Sequence, residues 1–300
     1  MDKVVDDSRL ILFTRSATAG ERRVVVGFLV ISATIFVALV PFAQKLLGEF
    51  PAFIGVYEAT FALSDVITAV LLFGQYRLLP SAAILALATG YLFTAFMAVA
   101  HAFTFPGLFA PNGLLGAGPN STAWMYMFWH GAFPLSVIAY GFFKADESVR
   151  TNIDARMMGF IVAVAALAAL YIAGALTLLA TAGKDMLPSL MHGNQFAPAQ
   201  RIAIGTVWLS CLLALAVLWW RKPHSILDTW LMVVMSAWFF DIGLSGIFNA
   251  ARFDLGFYFG RVYGLVAAGF VLIALFLETK IQNRGLAVAH ESEHREERPL

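Results

Sequence analysis

The chain alternates between long apolar runs and short polar or glycine- and proline-bearing breaks. The runs cover residues 24–40, 52–73, 81–103, 123–143, 158–181, 202–220, 227–248 and 259–277. Each is close to the roughly 20 residues a helix needs to cross a hydrocarbon core about 30 Å thick. None shows the strict alternation of a membrane barrel strand. Pro41 closes the first run, and a polar, mixed-charge segment precedes it, unlike a cleavable signal peptide. The pattern predicts an all-α, polytopic integral membrane bundle of eight transmembrane helices. Residues 1–22 form a cytoplasmic N-terminal segment, 23–279 the membrane domain and 280–300 a cytoplasmic tail.

Composition points the same way. Of 300 residues, 60% are hydrophobic and 13% charged, and the mean hydropathy is +0.78. Soluble chains average about 45–50% apolar and 25% charged, so lipid must cover part of this surface. A soluble enzyme, a disordered chain and a nucleic-acid binder are excluded. The formal net charge is +1, which creates no bulk field for polyanions. Cys211 is the single cysteine, so neither an intrachain disulfide nor a thiolate cluster can form.

Basic residues set the orientation. With the N-terminus inside, only Lys45, Lys184, Arg201, Arg252 and Arg261 of the 20 lysines and arginines fall outside. Both termini are therefore expected in the cytoplasm. Two outer loops are long. Loop 104–122 contains Pro106, Pro111, Pro119 and four glycines without a charge; it reads as a lid over the outer mouth or a re-entrant segment. Loop 183–200 is more polar and says less. The similarity of Arg77-Leu-Leu-Pro-Ser81 to Arg221-Lys-Pro-His-Ser225 is too short to define a repeat.

Ionisable residues at membrane depth are costly and mark functional sites by default. Here they are Glu58, Asp65, His101, His130, Asp241 and Arg261, with Arg252 just above the membrane edge. At a rise of about 1.5 Å per residue, Glu58, His130 and Asp241 lie about 9–10 Å below the outer edge. Asp65 lies two turns deeper on the same face as Glu58. Asp228 sits at the inner entry of span seven, where water is expected to reach it. The grouping in the outer half predicts a cavity open to the periplasmic side, and these residues are the ligand-binding or signal-sensing candidates. The competing reading is structural: Glu58 or Asp241 pairs with Arg252 or Arg261 and fixes helix register.

His101 and His130 are two potential haem or metal ligands without an identifiable third, so neither a metal nor another cofactor is expected. No nucleophile elbow, P-loop or zinc-protease motif occurs; no catalytic residue is assigned and no enzymatic activity is expected. Gly256, Gly260 and Gly264 form a small-residue stripe. It suits helix packing within the bundle better than dimerisation, although a homodimer is expected for the protein.

Several stretches resemble the fourth class of membrane-associated sensor domains, the MASE group. They are Ser64-Asp65-Val-Ile-Thr-Ala-Val-Leu-Leu72, Gly90-Tyr91-Leu-Phe-Thr-Ala95 and His101-Ala-Phe-Thr-Phe-Pro106-Gly. Gly113-Leu-Leu-Gly116-Ala-Gly118, Ala123-Trp124-Met-Tyr-Met-Phe-Trp129-His130-Gly-Ala-Phe-Pro134 and Ser225-Ile-Leu-Asp228-Thr-Trp230 follow in order. The last is Arg252-Phe-Asp254-Leu-Gly256-Phe-Tyr258-Phe-Gly260-Arg261-Val-Tyr-Gly264. The resemblance extends over about residues 20–280. It implies a sensory input module preceding a diguanylate cyclase or histidine kinase, in two-component or cyclic-di-GMP signalling. A stimulus, an unknown small molecule in the periplasm or the membrane, would act through the last span on a cytoplasmic signalling domain or partner protein. No such domain follows within these 300 residues, so a truncated sensor and a stand-alone sensor are both expected possibilities. The alternatives are a small-molecule transporter or channel, and a haem- or metal-binding membrane protein using His101 and His130.

Overall fold

The structure, a computed structural model, describes residues 16–144 and 154–296, with side chains as far as 276 except that of Val271. Most of the segment 1–22 and the side chains of the tail 280–300 lie outside the described residues. Eight long helices follow one another: α1 (Ala19–Leu39), α2 (Pro51–Leu78), α3 (Ala82–Thr104), α4 (Ser121–Lys144), α5 (Ala155–Thr181), α6 (Pro198–Trp220), α7 (Ile226–Ile242) and α8 (Leu255–Glu296). Between α5 and α6, β1 (Met191–His192) and β2 (Gln195–Phe196) form a small antiparallel hairpin.

Starts and stops follow local chemistry. Thr18 with Glu21, and Ser225 with Asp228, close reciprocal capping boxes at α1 and α7. Ser81 caps α3 by accepting from the Ile84 amide. Pro51 and Pro198 occupy the first turns of α2 and α6, where a missing N–H costs nothing.

Seven of these helices are long and apolar enough to cross a membrane. Among the eight expected spans, α4 differs: it has the length, 24 residues, but its Trp, Tyr, His and Pro residues lower its hydropathy. It packs against α3, α5 and α6, and Trp129, Phe133, Val137 and Tyr140 are buried in the core. Helices α1 and α5 form the opposite extreme, each with only 11% of its span buried, against 67% for α7. Their outward faces are the surface the bilayer covers.

Two expected boundaries move. Span seven does not remain α-helical to residue 248: α7 ends at Ile242 and six residues, Gly243–Phe248, continue as a π-helix. This widening lets Gly243 lie against Phe36 and Gly246 against Ile204. Span eight starts earlier than expected, at Leu255, because the Asp254 carboxylate accepts from the Phe257 amide at 2.9 Å. It then runs for 42 residues, about 63 Å at 1.5 Å per residue and twice the depth of a hydrocarbon core.

Asp228 is not water-accessible, contrary to expectation; it is buried. One carboxylate oxygen accepts from Tyr140 Oη at 2.8 Å. The other pairs with Lys144 Nζ and accepts from the Ser225 amide at 2.6 Å. The network pins the start of α7 to the end of α4. Asp228→Ala is expected to cost about 2–4 kcal/mol, since three donors lose an acceptor and Lys144 its counter-charge. Asp228→Asn should cost less. Thermal unfolding in detergent measures both; an unchanged midpoint for the alanine variant would show the network to be energetically idle.

Candidate functional site

Four helices bring two carboxylate–histidine contacts together at the loop-bearing end. Glu58 of α2 bonds His101 Nδ1 of α3, both side chains being fully buried. On α4, His130 Nδ1 lies 3.0 Å from the Tyr126 carbonyl oxygen. That oxygen can only accept, so Nδ1 carries the proton. In the neutral ring Nε2 therefore presents a lone pair to Asp241 Oδ2 of α7, 3.5 Å away, and has no hydrogen-bond partner. A second proton on Nε2 would create an imidazolium facing a carboxylate.

The π-helical turn organises the next contacts. Ser245 Oγ lies 3.0 Å from Asp241 Oδ1 and 2.8 Å from the Asp241 carbonyl oxygen. Its single hydrogen satisfies one of them, while Tyr126 Oη lies 2.8 Å from the same Oγ. The Tyr126 ring stacks on His130 with centroids 3.7 Å apart. A π-helical turn is an uncommon element often found at functional sites, and here it carries Ser245 to the cavity wall.

That cavity is a narrow one, with about 420 Å³ of atom-free space when its open mouth is counted, and is bounded by His101, Tyr126, Ser245, Arg252 and Arg261 among others. Its upper wall comes from the loops. Phe105, from the turn after α3, joins Ile54, Phe253 and Phe257 in a small buried cluster on which Leu108 packs. Leu114 N donates to the Phe103 carbonyl oxygen at 2.6 Å and Thr122 Oγ1 to the Thr104 carbonyl oxygen at 2.7 Å. Loop 104–122 is thereby folded onto the bundle end. Met191 and Phe196 of the hairpin and Gln200 of α6 complete the wall.

Both arginines are buried. Arg261 Nη1 donates to the Phe257 carbonyl oxygen at 2.9 Å. Its guanidinium lies 3.6 Å from the Phe257 ring centre and 5.8 and 5.7 Å from those of Tyr57 and Tyr126, and Nε has no partner. Arg252 sits over the Phe105 ring at 5.5 Å. The backbone aims it: its amide donates to the Asn194 carbonyl oxygen at 2.9 Å. The next residue, Phe253, has φ +67°, a left-handed conformation costly for a bulky side chain. Asp254 fixes this turn by also accepting from the amides of Ala250 and Ala251, at 2.9 and 3.1 Å. Burial, with the neighbouring Arg261 charge, pushes Arg252 down to about 10. It remains charged at neutral pH, at a cost.

The glycine stripe lies directly beneath this site. A Cβ on Gly256 would come 2.4 Å from the Leu244 carbonyl oxygen, and one on Gly260 2.7 Å from Ser245 Cβ. One on Gly264 would come 3.0 Å from Asp241 Oδ2 and Tyr57 Oη. The stripe's face is thus occupied within the chain, and an interface between two copies would need another face.

Glu58, His101, His130, Asp241, Arg252 and Arg261 share this region; Asp65 does not. It accepts a hydrogen bond from Thr94, in a separate apolar enclosure of Phe61, Tyr91, Phe133 and Trp238. The arginine pairing of Glu58 or Asp241 that the competing reading supposes is absent among the described residues: each carboxylate faces a histidine instead. A histidine is the shorter reach from α3 or α4, whereas both guanidiniums point into the cavity. Nor do the described residues contain a group of three or more His, Cys, Asp or Glu placed to hold a metal ion. The sequence reading missed Phe105, Tyr126, Met191, Phe196, Gln200, Ser245 and Phe257. A usable signal existed for the hairpin alone, the Gly193-Asn194 turn between His192 and Gln195.

The architecture is that of a polytopic membrane domain with a buried polar site at one end. Residues 49–281 match the family of membrane-associated sensor, integral membrane domains, MASE4. The chain belongs to this family. The match begins between α1 and α2 and is therefore shorter at its start than the expected 20–280. No curated protein and no solved structure matches the chain.

Proposed function

We propose that this sensor domain is the input half of a bacterial inner-membrane signalling protein, with both termini cytoplasmic. A stimulus entering the loop-covered cavity from the periplasm or the membrane would alter the tilt or rotation of α8. The helix would pass that change to a cytoplasmic output, a diguanylate cyclase or histidine kinase module, with no catalysis by the chain itself. The observation that carries this reading is the continuity of α8. It bears Arg261 and Gly260 at the site and extends unbroken to Glu296. A helix seated by glycines on a hydrogen-bonded π-turn has little freedom to move independently of the site. For relay, the ligand must favour one of two arrangements over the other.

The test joins the chain in frame to a diguanylate cyclase and measures cyclic di-GMP in cells. Arg261→Gln is expected to change the output at least about fivefold, the lower range of allosteric couplings. Leu170→Val on the lipid-facing side of α5 should leave it unchanged. If Arg261→Gln gives the wild-type output at equal expression, the cavity is not the input.

A further inference from the structure

We infer that the cavity is a receptor site for a small organic acid, whose oxyanion sits between Arg252 and Arg261 and whose apolar body lies against Phe105, Phe196 and Phe257. The inference deepens the sensory reading above and rests on it for its biological role. Buried arginines normally meet a carboxylate in bidentate contact. These two have none within 4 Å among the described residues. Among the described residues the Arg252 side chain has no hydrogen-bond acceptor, and Arg261 uses one N–H on a helix carbonyl while Nε stays unpartnered. No Asp or Glu lines the cavity. Glu58 and Asp241 lie behind its wall, turned to His101 and His130.

The guanidiniums are therefore neighbouring positive charges in a low-dielectric space, held by ring faces that cannot accept a directed bond. An anion would satisfy both and relieve their repulsion. The remaining wall, of aromatic rings with Met127 and Met191, offers an apolar surface to the rest of the molecule. A bare inorganic ion would leave it unused. Gln200 Oε1 is buried without a partner, while its amide nitrogen donates to the Gly246 carbonyl oxygen. It is free to accept from a hydroxyl or amine on the ligand.

The test is equilibrium binding of radiolabelled benzoate to the purified full chain in neutral detergent, with benzyl alcohol and inorganic phosphate as competitors. One saturable site is expected, displaced by excess unlabelled benzoate, much less by phosphate, and not by benzyl alcohol. Arg252→Gln should weaken binding at least about tenfold, the loss of a charge-assisted contact. It should leave the unfolding midpoint equal or higher, because an uncompensated buried charge is removed. Equal displacement by benzyl alcohol, or undiminished binding to Arg252→Gln, would overturn the site. The lipid headgroup alternative is read in nanodiscs. If phosphatidylglycerol blocks benzoate where phosphatidylcholine does not, and does so through Arg252, the ligand is a lipid and the organic-acid assignment fails. Arg252-dependent benzoate binding without a change in cyclase output from Arg261→Gln would keep the site and reject the sensory reading. No binding, with an Arg261-dependent output, would do the reverse.

Discussion

Gly260→Val is expected to destabilise the protein strongly. The added Cβ would lie 2.7 Å from Ser245 Cβ, 2.8 Å from the Asp241 carbonyl oxygen and 2.9 Å from Asp241 Oδ1. Ser245 belongs to the π-turn and Asp241 to the last turn of α7, and a Cβ and a backbone oxygen among these atoms cannot swing aside, so the helices must separate. Overpacking alone costs about 1–3 kcal/mol. Displacing Ser245 from Asp241 leaves buried polar groups unsatisfied, at about 1–3 kcal/mol more. Gly269 on the same helix has no atom within 4 Å of an added Cβ. Gly269→Val is therefore the matched control and should be neutral or slightly stabilising, as valine exceeds glycine in helix propensity. Thermal unfolding in mild detergent compares the two, and similar midpoints would refute the close seating of α8 on α7.

The second large effect is expected at Glu58. Glu58→Ala leaves buried His101 without the acceptor of its Nδ1 and opens a void between α2 and α3, at about 2–5 kcal/mol depending on whether the pair is charged. Glu58→Gln retains an acceptor oxygen and should recover much of the loss. His101→Phe removes the group that needs the acceptor. The double variant with Glu58→Ala should thus cost less than the two single costs added, with a coupling of about 0.5–3 kcal/mol. Strict additivity by thermal unfolding would mean that the pair contributes nothing as a pair.

These effects depend on features visible in the sequence to different degrees. The helices were legible because lipid imposes one rule along the whole chain: a spanning segment must be apolar and about 20 residues long. The same rule made Glu58, His101, His130, Asp241 and Arg261 conspicuous, and helical rise placed them at similar depth. Depth does not fix rotation about the helix axis. Asp65 shares a helical face with Glu58, yet packs with Thr94 two turns below the cavity, and histidines stand where the competing reading supposes arginine partners. Asp228 seemed to lie at a watery helix entry, but the Lys144 and Tyr140 side chains from α4 fold over it. The π-turn at Gly243–Phe248 escaped because its apolar pattern is that of an α-helix continued. The cavity's upper wall escaped because aromatic residues in loops carry no periodicity; only tertiary contact brings Phe105, Phe196 and Phe257 around the same space.

The central claim is that the cavity and the far end of α8 form one mechanical unit. Hydrogen–deuterium exchange along the full chain in nanodiscs, with and without saturating benzoate, tests it most directly. Occupancy should alter exchange in the π-turn and the first turns of α8. It should also alter exchange in the helix beyond residue 277, far outside ligand contact, and Arg252→Gln should abolish both changes together. A change confined to residues around the cavity, with the distal helix exchanging as in the unliganded protein, would contradict the account.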